Sequence, residues 1–129
     1  MPKRKRSIVI ALRDAHLRSI LLERFEREGF TAEGTEDVSE AEKKASKLRP
    51  TIFFAEFVGE TAELRKLLKH WRSLPTLSHA KVVLFFSGKE RRYVDEALHG
   101  GADQVILEAT LTTKELTKLL LRIAETAHV

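Results

Sequence analysis

The chain of 129 residues contains no cysteine. That excludes a disulfide framework, a thiolate nucleophile and a cysteine-based zinc site. It fits a reducing cytoplasm, where we expect the protein to reside. No apolar run approaches the roughly 20 residues a membrane helix requires, so no membrane association is expected. After Met1-Pro2-Lys3-Arg4-Lys5-Arg6 the apolar stretch runs only from Ile8 to Leu12, and no small-residue cleavage site follows, unlike a secretory signal. The phosphate-binding loops Gly-x-Gly-x-x-Gly and Walker A are absent, which argues against nucleotide binding. The Gly-x-Ser-x-Gly turn that would make Ser87 a nucleophile is missing too. The five histidines, His16, His70, His79, His99 and His128, lack metal-ligand spacing. No proline-, glycine- or serine-rich linker divides the chain, and no repeat finer than a strand–helix unit is evident.

What is present is an ordinary globular composition, 43% hydrophobic and 33% charged, at a length that suits one buried core. The net charge is +4, and Lys3, Arg4, Lys5 and Arg6 account for as much by themselves. We read residues 1–6 as a basic, solvated tail and 7–129 as a single domain. The tail's sharper reading is an electrostatic contact with nucleic acid or an acidic partner. No helix-turn-helix, zinc-finger or aromatic RNA-binding motif accompanies it, so nucleic acid is not the expected partner.

Apolar runs alternate with helical patterns. Ile8–Leu12, Ile52–Ala55, Val82–Phe86 and Val105–Leu107 read as buried strands, because continuous β-branched and aromatic runs suit a parallel sheet covered on both faces. Thr31–Thr35 reads as a more polar edge strand. Helical stripes lie between them. Leu17, Ile20, Leu21 and Phe25 form the first, ended by Gly29. A capping box at Ser39 and Glu42 opens the second, with Ala41, Ala45 and Leu48, and Pro50 ends it. Leu64, Leu67, Leu68, Trp71 and Leu74 form the third, closed by Pro75. Val94, Ala97 and Leu98 form the fourth, closed by Gly100-Gly101. A second box, Thr112 with Glu115, opens the fifth, with Leu116, Leu119, Leu120 and Ile123. Five strand–helix units predict an open parallel α/β sheet with right-handed crossovers. Its functional crevice lies at the carboxyl ends of the strands, so the residues after Leu12, Ala55, Phe86 and Leu107 matter most.

Those segments carry a resemblance. Leu48-Arg49-Pro50-Thr51-Ile52-Phe53-Phe54-Ala55-Glu56 resembles the segment of response-regulator receiver domains that ends a helix at proline, runs a buried strand and finishes on the phosphoacceptor aspartate. Val82 to Phe86 followed by Ser87-Gly88, Ala97-Leu98-His99-Gly100-Gly101-Ala102-Asp103, and Glu28-Gly29-Phe30 resemble three further receiver segments. The resemblance covers nearly the whole chain. It implies a flavodoxin-like (βα)5 three-layer sandwich with a five-stranded parallel sheet in the order 2-1-3-4-5.

The residues that would carry receiver chemistry depart from the family pattern one by one. The acidic pair that helps hold Mg²⁺ is matched by Leu12 and Arg13, and only the next residue, Asp14, is acidic. A hydrophobe and a cation cannot coordinate a hard divalent ion, so Mg²⁺ binding is expected to be lost, with no other cofactor in its place. The phosphoacceptor is matched by Glu56, whose carboxylate sits one methylene further out. The hydroxyl position is kept as Ser87. The lysine of the last strand is matched by Glu108, the following proline by Ala109 and the switch aromatic by Val105. Two glutamates facing a phosphoryl dianion repel it. We therefore expect a degenerate pocket of Arg13, Asp14, Glu56, Ser87 and Glu108, with Ser87 and Val105 at the switch positions. Arg13 is expected to pair with Glu56 or Glu108, in place of metal and lysine. Glu56 as a fixed mimic of the phosphorylated state is a second reading. General acid–base catalysis by the paired carboxylates would need a substrate cleft that nothing else in the sequence supplies.

The resemblance also implies an interaction face on the fourth helix, last strand and fifth helix, with Arg91, Arg92, Tyr93, Lys114, Lys118 and Arg122 on it. The expected protein is a non-enzymatic interaction module of two-component-type signalling, a pseudo-receiver. It would meet a signalling protein, or a second copy of itself, through that face. The alternative is a receiver still switched by a nonstandard phosphate or ligand route.

Overall fold

A computed structural model describes residues 6–126, so the tail residues Lys3 to Lys5 and His128 lie outside the described residues. The elements run β1 (Ser7–Ala11), α1 (Ala15–Arg27), β2 (Thr31–Thr35), α2 (Val38–Leu48), β3 (Ile52–Phe57), α3 (Thr61–Ser73), β4 (Lys81–Phe86), a 3₁₀ segment (Gly88–Tyr93), α4 (Val94–His99), β5 (Gln104–Leu107), a 3₁₀ turn (Glu108–Thr110) and α5 (Thr113–Thr126). All five strands are parallel and stand in the order 2-1-3-4-5. This is the flavodoxin-like (βα)5 arrangement that the segment order predicts.

Each central strand has buried residues of both parities, so the sheet has two cores. Val9, Phe53, Ala55, Val82, Leu84 and Phe86 pack with Ala41, Ala45, Leu64, Leu68, Trp71 and Ala97 of α2, α3 and α4. Ile8, Ile10, Ile52, Phe54, Val83, Phe85 and Ile106 pack with Leu21, Phe25, Leu116 and Leu120 of α1 and α5. The two-residue period of a strand sends neighbours to opposite faces. Edge-to-face ring pairs join sheet to helix on one face, Phe53 to Trp71 at 4.9 Å, and strand to strand on the other, Phe54 to Phe85 at 5.6 Å.

Several local expectations shift. The first strand is one residue earlier than Ile8–Leu12, although Leu12 remains buried. The cap of α2 is not Ser39: Asp37 accepts from the Glu40 amide at 2.9 Å. A carboxylate two residues earlier takes the cap, which leaves Glu42 free to reach α3, where it accepts from the buried Trp71 indole at 2.8 Å. Leu98 of the fourth stripe is 45% exposed, because the six-residue α4 turns only Ala97 fully inward. The box opening α5 is present in both directions. The Thr112 amide donates to Glu115 at 2.9 Å, and the Glu115 amide donates to the Thr112 hydroxyl at 3.1 Å.

At the amino ends of the strands one guanidinium clamps three segments. Arg72 donates to the carbonyls of Gly101 (2.6 and 2.8 Å), Leu77 (3.2 Å) and Ala80 (3.1 Å), and to the Asp103 carboxylate at 2.5 Å. That carboxylate also accepts the Val82 amide at 2.8 Å. Gly101, at φ 119°, lets the backbone come this close, since a Cβ there would stand 3.1 Å from the Arg72 Cγ.

Two outcomes follow from these contacts. Arg72→Ala orphans several carbonyls at once, so the unfolding free energy from denaturant titration falls by about 2–3 kcal/mol. An unchanged midpoint would show that the clamp holds nothing. The Glu115 carboxyl is held below its ordinary value of 4.5, first by the Thr112 amide and then by the Thr112 hydroxyl. A carboxyl depressed in the folded state stabilises above its unfolded pKa and loses that contribution as pH falls through the folded one. Glu115→Gln is therefore expected to lower the melting temperature at neutral pH, with the gap to the parent closing once the pH drops below 4.5.

Candidate functional site

Glu56 ends the inward sequence of β3 two residues beyond Phe54, and so points to the α1/α5 face. Ser87 stands two residues beyond Phe85, and Glu108 two beyond Ile106. The register sets Glu56 beside Phe85, and Phe86 beside Leu107. All three residues therefore lie at the carboxyl end of the sheet, with Leu12, Arg13 and Asp14 leaving β1 next to them.

The first group is built on β1 and β3. Leu12 is 1% exposed. Its amide donates to the Thr35 carbonyl at 3.1 Å, and its carbonyl accepts from the Arg18 guanidinium of α1. This turn directs the Arg13 amide at Glu56, which accepts it at 3.0 Å through Oε1. The Arg13 guanidinium stands 3.6 Å from Oε2 of the same carboxylate, whose side chain is 12% exposed. Both Glu56 oxygens thus face donors of one residue. Asp14 is committed elsewhere, as the α1 cap accepting the Leu17 amide at 3.0 Å.

The second group is built on β4 and β5. Ser87 and Glu108 share a cleft of about 410 Å³ with Phe86, Gly88, Arg91, Leu107 and Thr110. Glu108 also borders a smaller cleft of about 270 Å³ between α1 and α5, with Asp14, His16, Phe85 and Thr113. Among the described residues Glu108 has no ion-pair partner, and Arg13 chooses Glu56. The five candidate residues therefore share one end of the sheet in two groups, Arg13 with Glu56 and Ser87 with Glu108.

Tyr93 does not belong to an exposed face. It is 7% exposed, because the segment after β4 is a 3₁₀ turn rather than a full helix and rotates the ring inward. Its hydroxyl donates to Glu60 at 3.0 Å and accepts from Arg92 at 2.8 Å, which ties the loop after β3 to the loop after β4. Arg91, Arg92, Lys114, Lys118 and Arg122 are exposed as expected, with Arg91 also lining the cleft of Ser87 and Glu108. Val105 is half-buried and packs on the α2–α3–α4 side. Sequence reasoning missed Arg18, Glu60 and the inward turn of Tyr93. Only Tyr93 carried a signal, as the chain's one tyrosine directly before the apolar stripe of α4.

The residues present do not fit a bound Mg²⁺. At the matching positions one side chain is a buried leucine, the next is a cation already facing Glu56, and Asp14 is spent on a helix cap. Among the described residues, no group of three or more His, Asp or Glu side chains is arranged to hold a metal ion. No helix among them is long and apolar enough to cross a membrane.

No protein-family model and no curated protein sequence matches the chain. The fold does recur among solved structures. A response regulator from Thermotoga maritima matches at TM-score 0.76 and 16% identity, over 95% of this chain and 99% of its own. A two-component response regulator from Clostridium difficile matches at 0.76 and 19% identity, over 95% and 98%. An orphan response regulator of H. pylori matches at 0.75 and 15% identity, over 95% and 99%. The chain has the fold of response-regulator receiver domains along nearly its full length.

Removing the Glu56 carboxylate tests the first group. In Glu56→Ala the Arg13 amide loses its acceptor, and its hydrogen exchange accelerates about tenfold or more, while global stability drops by less than about 1 kcal/mol. Unchanged exchange at Arg13 would mean the contact is not formed in solution.

Proposed function

We propose that this chain is a pseudo-receiver: a phosphorylation-independent protein-interaction module of the two-component type. The observation that carries the reading is Glu56 at the phosphoacceptor position, faced through both carboxylate oxygens by the amide and guanidinium of Arg13. In a working receiver this carboxylate is the nucleophile, and a metal and a lysine neutralise the incoming phosphoryl group. Here the cation is supplied from within the chain and is already engaged, and Glu108 adds a negative charge where the lysine belongs. Glu56 is neutralised from within the chain rather than awaiting a ligand, while Glu108 keeps its charge without an ion-pair partner among the described residues.

With that chemistry absent, the remaining working part is the surface. Arg91, Arg92, Lys114, Lys118 and Arg122 stand exposed on the segments that flank β5, and this basic face suits an acidic signalling partner. The Tyr93–Glu60 contact fixes the β4–α4 connection in one position, which suits a face that does not switch.

Incubating the protein with a small-molecule phosphodonor and Mg²⁺, then measuring intact mass and light scattering, tests this. The mass and the oligomeric state are expected to be the same with and without donor. A stable phosphate adduct, or a donor-dependent change of state, would favour the switchable receiver instead.

A further inference from the structure

The end of the sheet opposite the candidate site carries the chain's other concentration of charge. Three neighbouring strands begin there, joined by backbone contacts. The Thr51 amide donates to the Ser7 carbonyl at 2.8 Å, and the Lys81 amide donates to the Thr51 carbonyl at 2.9 Å. Arg6 directly precedes Ser7, Lys47 and Arg49 lead into Thr51, and Lys81 opens β4. Adjacent strands are about 4.8 Å apart, so these cations share one small area. Segments 47–51 and 78–81 contain no acidic residue. Asp103, beside them, is engaged by Arg72 and the Val82 amide. A recess of about 350 Å³ lies among Arg72, Ser78, His79, Lys81 and Asp103. In the sequence, Lys3-Arg4-Lys5 stands immediately before this pole.

Cations at helix ends often do no more than complement the helix dipole. Two observations point further. Arg6 and Lys81 are not on helices, so the dipole does not account for them. Arg49 is the one non-glycine residue among those described with a positive φ, 49°, at the α2 C-cap. Glycine is the usual occupant of that conformation, and a Cβ strains it. The backbone turn serves the end of α2, where the Arg49 amide donates to Ala45 at 2.8 Å, but the side chain gains nothing inside the protein: its exposed guanidinium has no partner among the described residues. A side chain kept at a cost and directed to solvent is a sign of an external ligand.

We infer that this amino-end pole is a docking face for the phosphate backbone of double-stranded nucleic acid, read without sequence preference. A regular polyanion needs spaced cations and no apolar pocket, and the pole offers that. Stacking on bases is not available, since the single tryptophan and the single tyrosine are buried. A membrane surface would call for exposed apolar anchors. The large exposed hydrophobics among the described residues are Val58 and Leu98, and neither lies in the segments bearing these cations. The proposal is independent of what the carboxyl end of the sheet does.

Fluorescence anisotropy of a labelled DNA duplex, titrated with the full chain across a salt series, tests it. The logarithm of the affinity is expected to fall linearly with the logarithm of the salt concentration. Arg49→Gly and Lys81→Ser each reduce that slope by about 1 and weaken low-salt binding by about three- to tenfold. Arg49→Gly does so without lowering the melting temperature, which separates loss of a contact from loss of the fold. Lys66→Ser, an exposed and charge-matched change in mid-α3, leaves the slope where it was. Three outcomes would each overturn the proposal: no duplex binding at low salt, slopes unaltered by both variants, or tighter binding to phosphatidylserine vesicles or polyglutamate than to DNA at the same salt.

Discussion

Burial of the parallel sheet on both faces is the constraint on which the rest of this protein depends. β1, β3 and β4 are apolar almost throughout, and each sends alternate residues into two separate cores. A polar side chain in the middle of such a strand would be stranded in one core or the other. Charge is therefore expelled to the two ends of the sheet. Glu56 is tolerated on β3 because it stands at the last turn of the inward register, where donors from the β1–α1 turn can reach it. Both poles of the molecule owe their character to this sorting.

At the carboxyl pole the contacts come from within the chain. The β1–α1 turn is held by Thr35, Arg18 and the Asp14 cap, and these contacts together aim one amide and one cation at Glu56. Arg13 keeps most of its side chain in water, so the cost of the contact falls on Glu56, which gives up most of its own hydration, a loss offset by the amide and the guanidinium. Across the sheet, Glu108 stays at the rim of two clefts and keeps solvent as its partner. The two carboxylates thus belong to separate groups at this end of the sheet.

The amino pole is built by a different logic. Arg72 is spent on structure, clamping the approaches to β4 and β5 through carbonyls that no strand satisfies. Once Arg72 is tied to Asp103, the cations at the entries of β1, β3 and β4 have no acid left to answer them in their own segments. One salt bridge therefore secures this end of the sheet and engages the acid nearest to those cations.

The apolar runs and helical stripes of the sequence already pointed to five strand–helix units, because strand and helix periods differ and four of the five strands are unbroken apolar runs, the polar edge strand Thr31–Thr35 being the exception. The resemblance at Pro50, Ser87-Gly88 and Gly100-Gly101 pointed to the receiver arrangement, and the departures from its pattern, in charge at Arg13 and Glu108 and in length at Glu56, could be read before any geometry. Other features needed the fold. That Asp37 rather than the expected Ser39 caps α2 depended on local backbone that places its carboxylate beneath the first amides. The inward turn of Tyr93 followed from a 3₁₀ segment whose pitch a helical wheel does not describe. That Arg13 engages Glu56 and leaves Glu108 alone was decided by strand order, since β1 lies next to β3 while β3 and β4 separate it from β5. The gathering of Arg6, Arg49 and Lys81 was likewise invisible along the chain. They are 43 and 32 residues apart in the sequence, and only the parallel register brings their strand entries together.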